Sequence, residues 1–377
     1  MRLAHIITGL DTGGAERMLL RLVERLHPEF EQSVISLTGA GPVADELRAA
    51  GVEVAALGMS SSRPSPWTLF RLAWILRRLK PNVVQTWMYH ADLVGGLAAR
   101  LAGIRAVAWN IRNNDLSPDK TSPRTRTVVG WLARLSGWLP ARIVCCSEAA
   151  RRTHVALGYA DKRFLVIPNG FDLGRFRPDE AARASVRSEL GLPQEAPLIG
   201  LIARFDPQKN HAGFLAAAGM LHRQRPYAHF LLAGRGVEPE NRELRDWASA
   251  AGVVGVLHLL GERHDIPRLS ASLDLATTAS SWGEAFPNVL GEAMACGVPC
   301  VATDAGDAAL IIGDSGRVVP RGDMAGLAGA WQELLNLAAS ERMALRLAAR
   351  ERIVRHFDLD QIAERYAALY RNMMGKC

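Results

Sequence analysis

Short apolar runs alternate along this chain with stretches in which apolar side chains recur every three or four positions. The first pattern predicts strands at 3–8 (LAHIIT), 33–37 (SVISL), 52–57 (VEVAAL), 82–87 (NVVQTW), 106–111 (AVAWNI), 141–147 (ARIVCCS) and 164–170 (FLVIPNG). The second predicts helices between them, near 15–27, 43–50, 67–80 and 92–103. A second series of strands follows at 197–204, 229–234, 256–261, 274–280 and 298–304. Strands and helices in strict alternation make parallel, doubly wound sheets, so the expected fold class is α/β with two such sheets. The Gly-, Pro- and charge-rich stretch 169–180 (NGFDLGRFRPDE) marks the boundary between them. The end of the chain reads as an amphipathic helix through Phe357, Ile362, Tyr366, Leu369 and Tyr370.

A length of 377 residues suits two domains, and 49% hydrophobic with 22% charged residues excludes disorder as the main state. Five cysteines, two of them adjacent, show no paired C-x2-C spacing, which points to a reducing compartment and no structural metal. The opening MRLAHIITGLDTGG reads as a strand and turn rather than a signal peptide, and no apolar run is long enough to span a membrane. Charge changes the picture more. The net +7 is unevenly spread: residues 1–180 hold 24 basic and 16 acidic side chains, the remainder 21 and 22. Such a field favours an anionic partner. Without zinc-finger spacing, an RNP-like motif or a lysine-rich tail, nucleic acid is not the expected one. Two basic, Trp-bearing segments, 67–80 and 124–139, carry the expectation that one of them lies on an anionic membrane. The protein is accordingly expected to be cytoplasmic and peripheral on the inner face of the cell membrane.

The candidate chemistry sits mostly in the second half. In 280–300, SSWGEAFPNVLGEAMACGVPC, Glu284 and Glu292 are eight positions apart. The spacing alone is uninformative, since Glu16 and Glu24 repeat it. The context is not: a strand runs into a Gly-containing turn, and Pro287 stands where a helix would begin. A helix N-terminus at the carboxyl end of a parallel strand seats phosphate, while Glu284 on the loop can accept from sugar hydroxyls and Glu292 can reach a ribose diol. Arg204 and Lys209 follow the strand at 197–204 in a polar loop, where two cations suit a diphosphate leaving group. Gly13 and Gly14 end the first strand, where backbone can approach a phosphate or sugar. His90 lies just past the strand at 82–87, beside Trp87 and Tyr89, in position to shape an acceptor pocket. The D-x-D at Asp358 and Asp360 precedes the terminal helix and reads as a cap.

Taken in order, GGAER (13–17), IPNGFD (167–172), IGLIARFDPQKNH (199–211), LLAGRG (231–236), LLGERHDIP (259–267) and EAFPNVLGEAMACGVPCVATD (284–304) resemble the retaining glycosyltransferases of family 4, of GT-B fold, over nearly the whole chain. That resemblance implies two Rossmann-like domains facing across a cleft. Residues 1–174 would bind the acceptor, 175–355 the nucleotide sugar, and 356–377 would cross back as a helix. It implies a UDP-sugar donor, or else a GDP-sugar, with Glu284 at the sugar and Glu292 at the ribose. The amides of Phe286 to Val289, with Ala285, Pro287 and Asn288, would hold sugar and phosphates. Arg204 and Lys209 would hold the diphosphate, Gly13, Gly14, Gly234 and Arg263 would complete the donor site, and His90 would join the catalytic set. No metal is implied. The acceptor would be a glycan or polyprenyl-diphosphate-linked sugar in bacterial surface polysaccharide synthesis. At AWNIRNND the chain departs from the family, whose members often carry a donor-site histidine there; Asn110 and Arg112 are then the candidates for donor or acceptor contact. A GT-B epimerase and a non-catalytic nucleotide-binding scaffold are the rival readings.

Overall fold

A computed structural model describes residues 1–26, 29–59, 66–117 and 121–375; Cys377 and position 27, the expected end of the first helix, lie outside them. The chain divides into two compact units, one made of Met1–Gly170 with the segment from Leu359 onward, the other of Phe171–Asp358.

The first unit is built on seven parallel strands: β1 (Arg2–Ile7), β2 (Glu31–Ser36), β3 (Glu53–Ala56), β4 (Val83–Trp87), β5 (Val107–Ile111), β6 (Arg142–Cys145) and β7 (Phe164–Val166). Their order is β3-β2-β1-β4-β5-β6-β7, with Leu3 beside Val83 and Ile7 beside Trp87 where the winding reverses. Right-handed crossovers on either side of that reversal send helices to opposite faces. The helices Gly14–Leu26 and Pro42–Ala49 share one face with the terminal helix Leu359–Met374, in a core that includes Leu19, Val23, Ile362 and Tyr370. The helices Pro66–Leu79, Tyr89–Leu101 and Pro123–Leu135 cover the other, around Leu72, Leu76, Ala98 and Leu132. Polar ties fix the terminal helix in this unit. Asp360, of the D-x-D, pairs with Arg25 at 2.6 Å; Arg371 pairs with Glu29 at 2.8 Å; and the Tyr370 hydroxyl donates to Gln85 Oε1 at 3.2 Å.

The second unit has six parallel strands: β8 (Leu198–Ile202), β9 (His229–Ala233), β10 (Leu257–Leu259), β11 (Leu275–Thr278), β12 (Cys300–Thr303) and β13 (Gly316–Val319), ordered β10-β9-β8-β11-β12-β13. The sequence pattern predicts only the first five. β13 reads GRVV, too short and too polar to signal itself, and is a strand because it pairs with β12 from Cys300–Gly316 to Thr303–Val319. Phe214, Phe230 and Trp331 interlock in the core, and the Trp331 indole N–H donates to Thr277 Oγ1 at 2.9 Å. Among the described residues no helix is long and apolar enough to cross a membrane.

Candidate active site

In the second unit, the order β8-β11 brings two loops together at the carboxyl edge of the sheet. The loop after β8 runs through Arg204 to the short turn Pro207–Lys209, which Asp206 caps by accepting from the Gln208 amide at 2.9 Å. The loop after β11 carries Ser280 and Glu284. Ser281 N–H donates to Gln208 O at 2.9 Å and ties the two loops by backbone. Thr303 Oγ1 donates to Ser280 O at 2.8 Å and fixes the second loop to the end of β12.

On this frame the Lys209 ammonium ion-pairs with the Glu284 carboxylate, which also accepts from Ser280 Oγ at 2.9 Å. Both side chains are largely buried, so their charges act on one another with little screening by water. Lys209, Ser280 and Val289 line a small cavity with Ala203 and Thr278. Arg204, half in solvent, pairs with Asp206 at 3.1 Å. Two glycines permit the close approach of backbone here. Gly306 has φ +62°, and a Cβ on it would lie 1.9 Å from Glu284 O; Gly234 has φ +145°, and its Cβ would lie 2.2 Å from Ala203 O.

The helix beginning at this edge spans Asn288–Ala295, with Pro287 as the residue before its first turn and not its first member. Phe286 stacks on Phe171 and meets Phe357 edge-on, so its side chain packs among the aromatics of the second unit. Glu292 lies one turn on and is half-buried. Arg263 makes its own ion pairs, at 2.8 Å to Glu189 and 2.7 Å to Asp265, in a network with Arg268. These bonds push its pKa up and that of Asp265 down.

In the first unit, Gly13 precedes the helix Gly14–Leu26; Gly14 is exposed, while the Glu16 carboxylate lies against Gly13, where a Cβ would be 2.3 Å from Oε2. Burial and the neighbouring Asp11 raise the Glu16 pKa. His90 is half-buried in the first turn of Tyr89–Leu101, and burial lowers its pKa. Its neighbours are both buried. Trp87 is fully buried and donates to His5 Nδ1 at 3.2 Å. Tyr89 is buried and its hydroxyl meets His154 Nε2 at 2.9 Å, while His154 Nδ1 donates to Ala150 O at 2.7 Å.

Burial holds both His5 and His154 near pKa 4, against 6.5 for an exposed ring. The folded value lies below the unfolded one, so the contribution of each neutral ring is intact above pH 6.5 and is lost as pH falls towards 4. Thermal unfolding followed across that window should show stability dropping by roughly 2–4 kcal/mol per histidine, and His154→Gln should flatten the profile. An unchanged slope in His154→Gln would mean that this ring does not titrate with unfolding.

Arg112 and Asn110 converge on the terminal helix. Arg112 Nη2 donates to the Tyr366 hydroxyl at 2.8 Å, Nη1 donates to Asn169 Oδ1, and the guanidinium lies 4.9 Å over the Trp87 ring. Asn110 is fully buried, and its Nδ2 donates to the same hydroxyl at 3.3 Å. Asn169 and Tyr366 were not singled out by the sequence pattern. Asn169 lies in IPNGFD and could have been flagged there; Tyr366 reads as one more apolar position of an amphipathic helix. Ser280, which ends a strand pattern, gave no signal either.

Two family models match the chain: Glycosyltransferase Family 4 over residues 12–175 and Glycosyl transferases group 1 over residues 196–337. Among curated relatives, the chain is 26% identical over 311 residues to the UDP-Gal:alpha-D-GlcNAc-diphosphoundecaprenol alpha-1,3-galactosyltransferase of Escherichia coli, covering 81% of this chain and 79% of that one. It is 27% identical over 368 residues to the lipopolysaccharide core biosynthesis mannosyltransferase LpsB of Rhizobium meliloti, covering 94% and 99%. Among solved structures, Alr3699/HepE of Anabaena, crystallised with UDP, superposes with a TM-score of 0.85 at 21% identity over 99% of this chain and 100% of that one. With two all-parallel α/β sheets, matches to both halves of the family's sequence and relatives that are themselves sugar transferases, the chain belongs to the family 4 glycosyltransferases of GT-B fold.

Proposed function

We propose that this glycosyltransferase moves a sugar from a nucleoside-diphosphate sugar to a hydroxyl of a glycan or polyprenyl-diphosphate-linked acceptor, with retention of configuration and without a metal ion. UDP is the favoured nucleotide and GDP the second choice. The observation that carries this reading is the Lys209–Glu284 ion pair, set at the sheet edge where the loops after β8 and β11 meet. In this scheme Glu284 accepts from donor-sugar hydroxyls, and Glu292 from the ribose. Lys209 and Arg204, with the first amides of Asn288–Ala295, stabilise the negative charge that develops on the diphosphate as the glycosidic bond breaks. The departing phosphate oxygen takes the proton of the acceptor hydroxyl, which attacks from the same face of the sugar. The second unit thus binds the donor. The first binds the acceptor, through His90 and the Arg112–Asn110 cluster, and its basic surface contacts the anionic inner face of the membrane. The undecaprenol-linked substrate named for the E. coli relative and the UDP in the Anabaena structure support the choice of substrates.

Release of nucleoside diphosphate across a panel of UDP-, GDP- and dTDP-sugars, in EDTA, with and without bacterial lipid extract, tests this. The expected result is lipid-stimulated release from one donor that survives EDTA. Release that requires added divalent ion would overturn the metal-free mechanism. Conversion of the donor without any acceptor would favour an epimerase.

A further inference from the structure

The helix Tyr89–Leu101 packs between Pro66–Leu79 and Pro123–Leu135, so the three lie side by side on one face of the seven-stranded sheet. Their outer surface is aromatic and basic. On the first helix Trp67 is 81% exposed and Trp74 55%, with Phe70 between them; on the third Trp131 is 52% exposed, and Trp138 in the turn that follows is 60% exposed. Single exposed aromatics are ordinary, but five on or just after the two outer helices are more than scattered exposure accounts for, and point to a partner.

Charge on the same surface is of one sign. Neither outer helix contains an acidic residue, and each carries three arginines. The acid of the middle helix, Asp92, is fully buried. Several cations sit over the rings themselves: Arg78 at 4.6 Å over Trp74, Arg134 at 5.4 Å over Trp131 and Arg100 at 5.4 Å over Trp138. Ring and guanidinium are thereby presented at one depth, as the headgroup layer of a bilayer demands: ring among the glycerol esters, cation at the phosphates. A second copy of the chain does not fit. A two-fold contact through this face would set arginine against arginine with no acid to meet it.

We propose that the three helices form one platform, with aromatic anchors on both outer helices, that seats the first unit on an anionic phospholipid surface. This deepens the membrane contact proposed above by requiring both basic segments at once. It rests on that reading only for why an acceptor would lie there.

Binding of the full chain to vesicles, without donor or acceptor, tests the platform apart from catalysis. Vesicles of phosphatidylcholine alone and of phosphatidylcholine mixed with phosphatidylglycerol would be compared by sedimentation and by tryptophan quenching with brominated lipid. The expected result is salt-sensitive binding to the anionic vesicles only, with quenched indoles. The pairs Trp67→Ser/Trp74→Ser and Trp131→Ser/Trp138→Ser should each weaken it by about tenfold or more while leaving the circular dichroism and donor binding unchanged. Loss in one pair only would overturn the shared platform. Equal binding to neutral vesicles, or none to either, would overturn the anionic surface as partner. A dimer in solution that the same variants abolish would assign the face to self-association instead.

Discussion

Lys209→Met should lower turnover by about 10²–10³-fold, the loss expected when one preorganised group that stabilises developing charge is removed. The same change should cost roughly 1–3 kcal/mol of stability, because the mostly buried Glu284 carboxylate loses the ammonium that it faces. Glu284→Gln should depress turnover comparably, yet cost less stability, since the ammonium it leaves is the more exposed partner and can still donate to the amide oxygen. The combined variant separates the two effects: Lys209→Met/Glu284→Gln should recover most of the melting temperature and none of the activity. Steady-state release of nucleoside diphosphate, read beside calorimetric melting, checks all three proteins. Turnover within threefold of the unaltered enzyme in Lys209→Met would remove the pair from the mechanism.

Asp274→Ala should give the largest loss of stability. Arg187 is fully buried, and its guanidinium is held by Asp274 Oδ2 at 2.6 Å and by the carbonyls of Pro193 at 3.1 Å and Ala196 at 2.6 Å. The same carboxylate takes Arg183 at 2.8 Å and the Leu198 amide at 2.8 Å, joining the start of β8 to the start of β11. Removing it leaves a buried cation without its anion, at a cost of about 3–5 kcal/mol. For a unit of this size that corresponds to a fall of roughly 6–20 °C in its melting temperature. Replacing both partners with apolar residues, Arg187→Met/Asp274→Leu, should be milder, because the fully buried guanidinium goes with its anion and only the partly exposed Arg183 loses its partner. Differential scanning calorimetry resolves the comparison. A single variant that melts within about 2 °C of the unaltered chain would show that the pair contributes no more than a surface ion pair does.

Both expected effects fall on the join between β8 and β11, strands far apart in sequence that the winding order makes neighbours. At their amino ends Asp274 and Arg187 hold the sheet together. At their carboxyl ends Lys209 and Glu284 hold the two loops in register. Fold stability and the proposed donor chemistry would then share one structural element, and a destabilised join should loosen the site before the unit melts.

Much of this was written in the chain itself. Periodicity at LAHIIT, NVVQTW, PLIGLIAR and DLATTAS determined where strands lie, because a strand buried on both faces has to be apolar along its whole length. Glycines before a helix and the string around Glu284 and Glu292 carried the resemblance to the family, whose two models match residues 12–175 and 196–337. The tertiary structure decided what each side chain meets. β13 exists because β12 has an edge to fill, and its four residues carry no signal of their own. Trp87 and Tyr89 can be buried in the core because His5 and His154, distant in sequence, complete their polar ends. Arg112 is held by Asn169 and Tyr366 from two further segments. Local sequence dictates burial and backbone shape, whereas the pairing of polar groups depends on strand order and crossover hand, which are settled only when the sheets assemble.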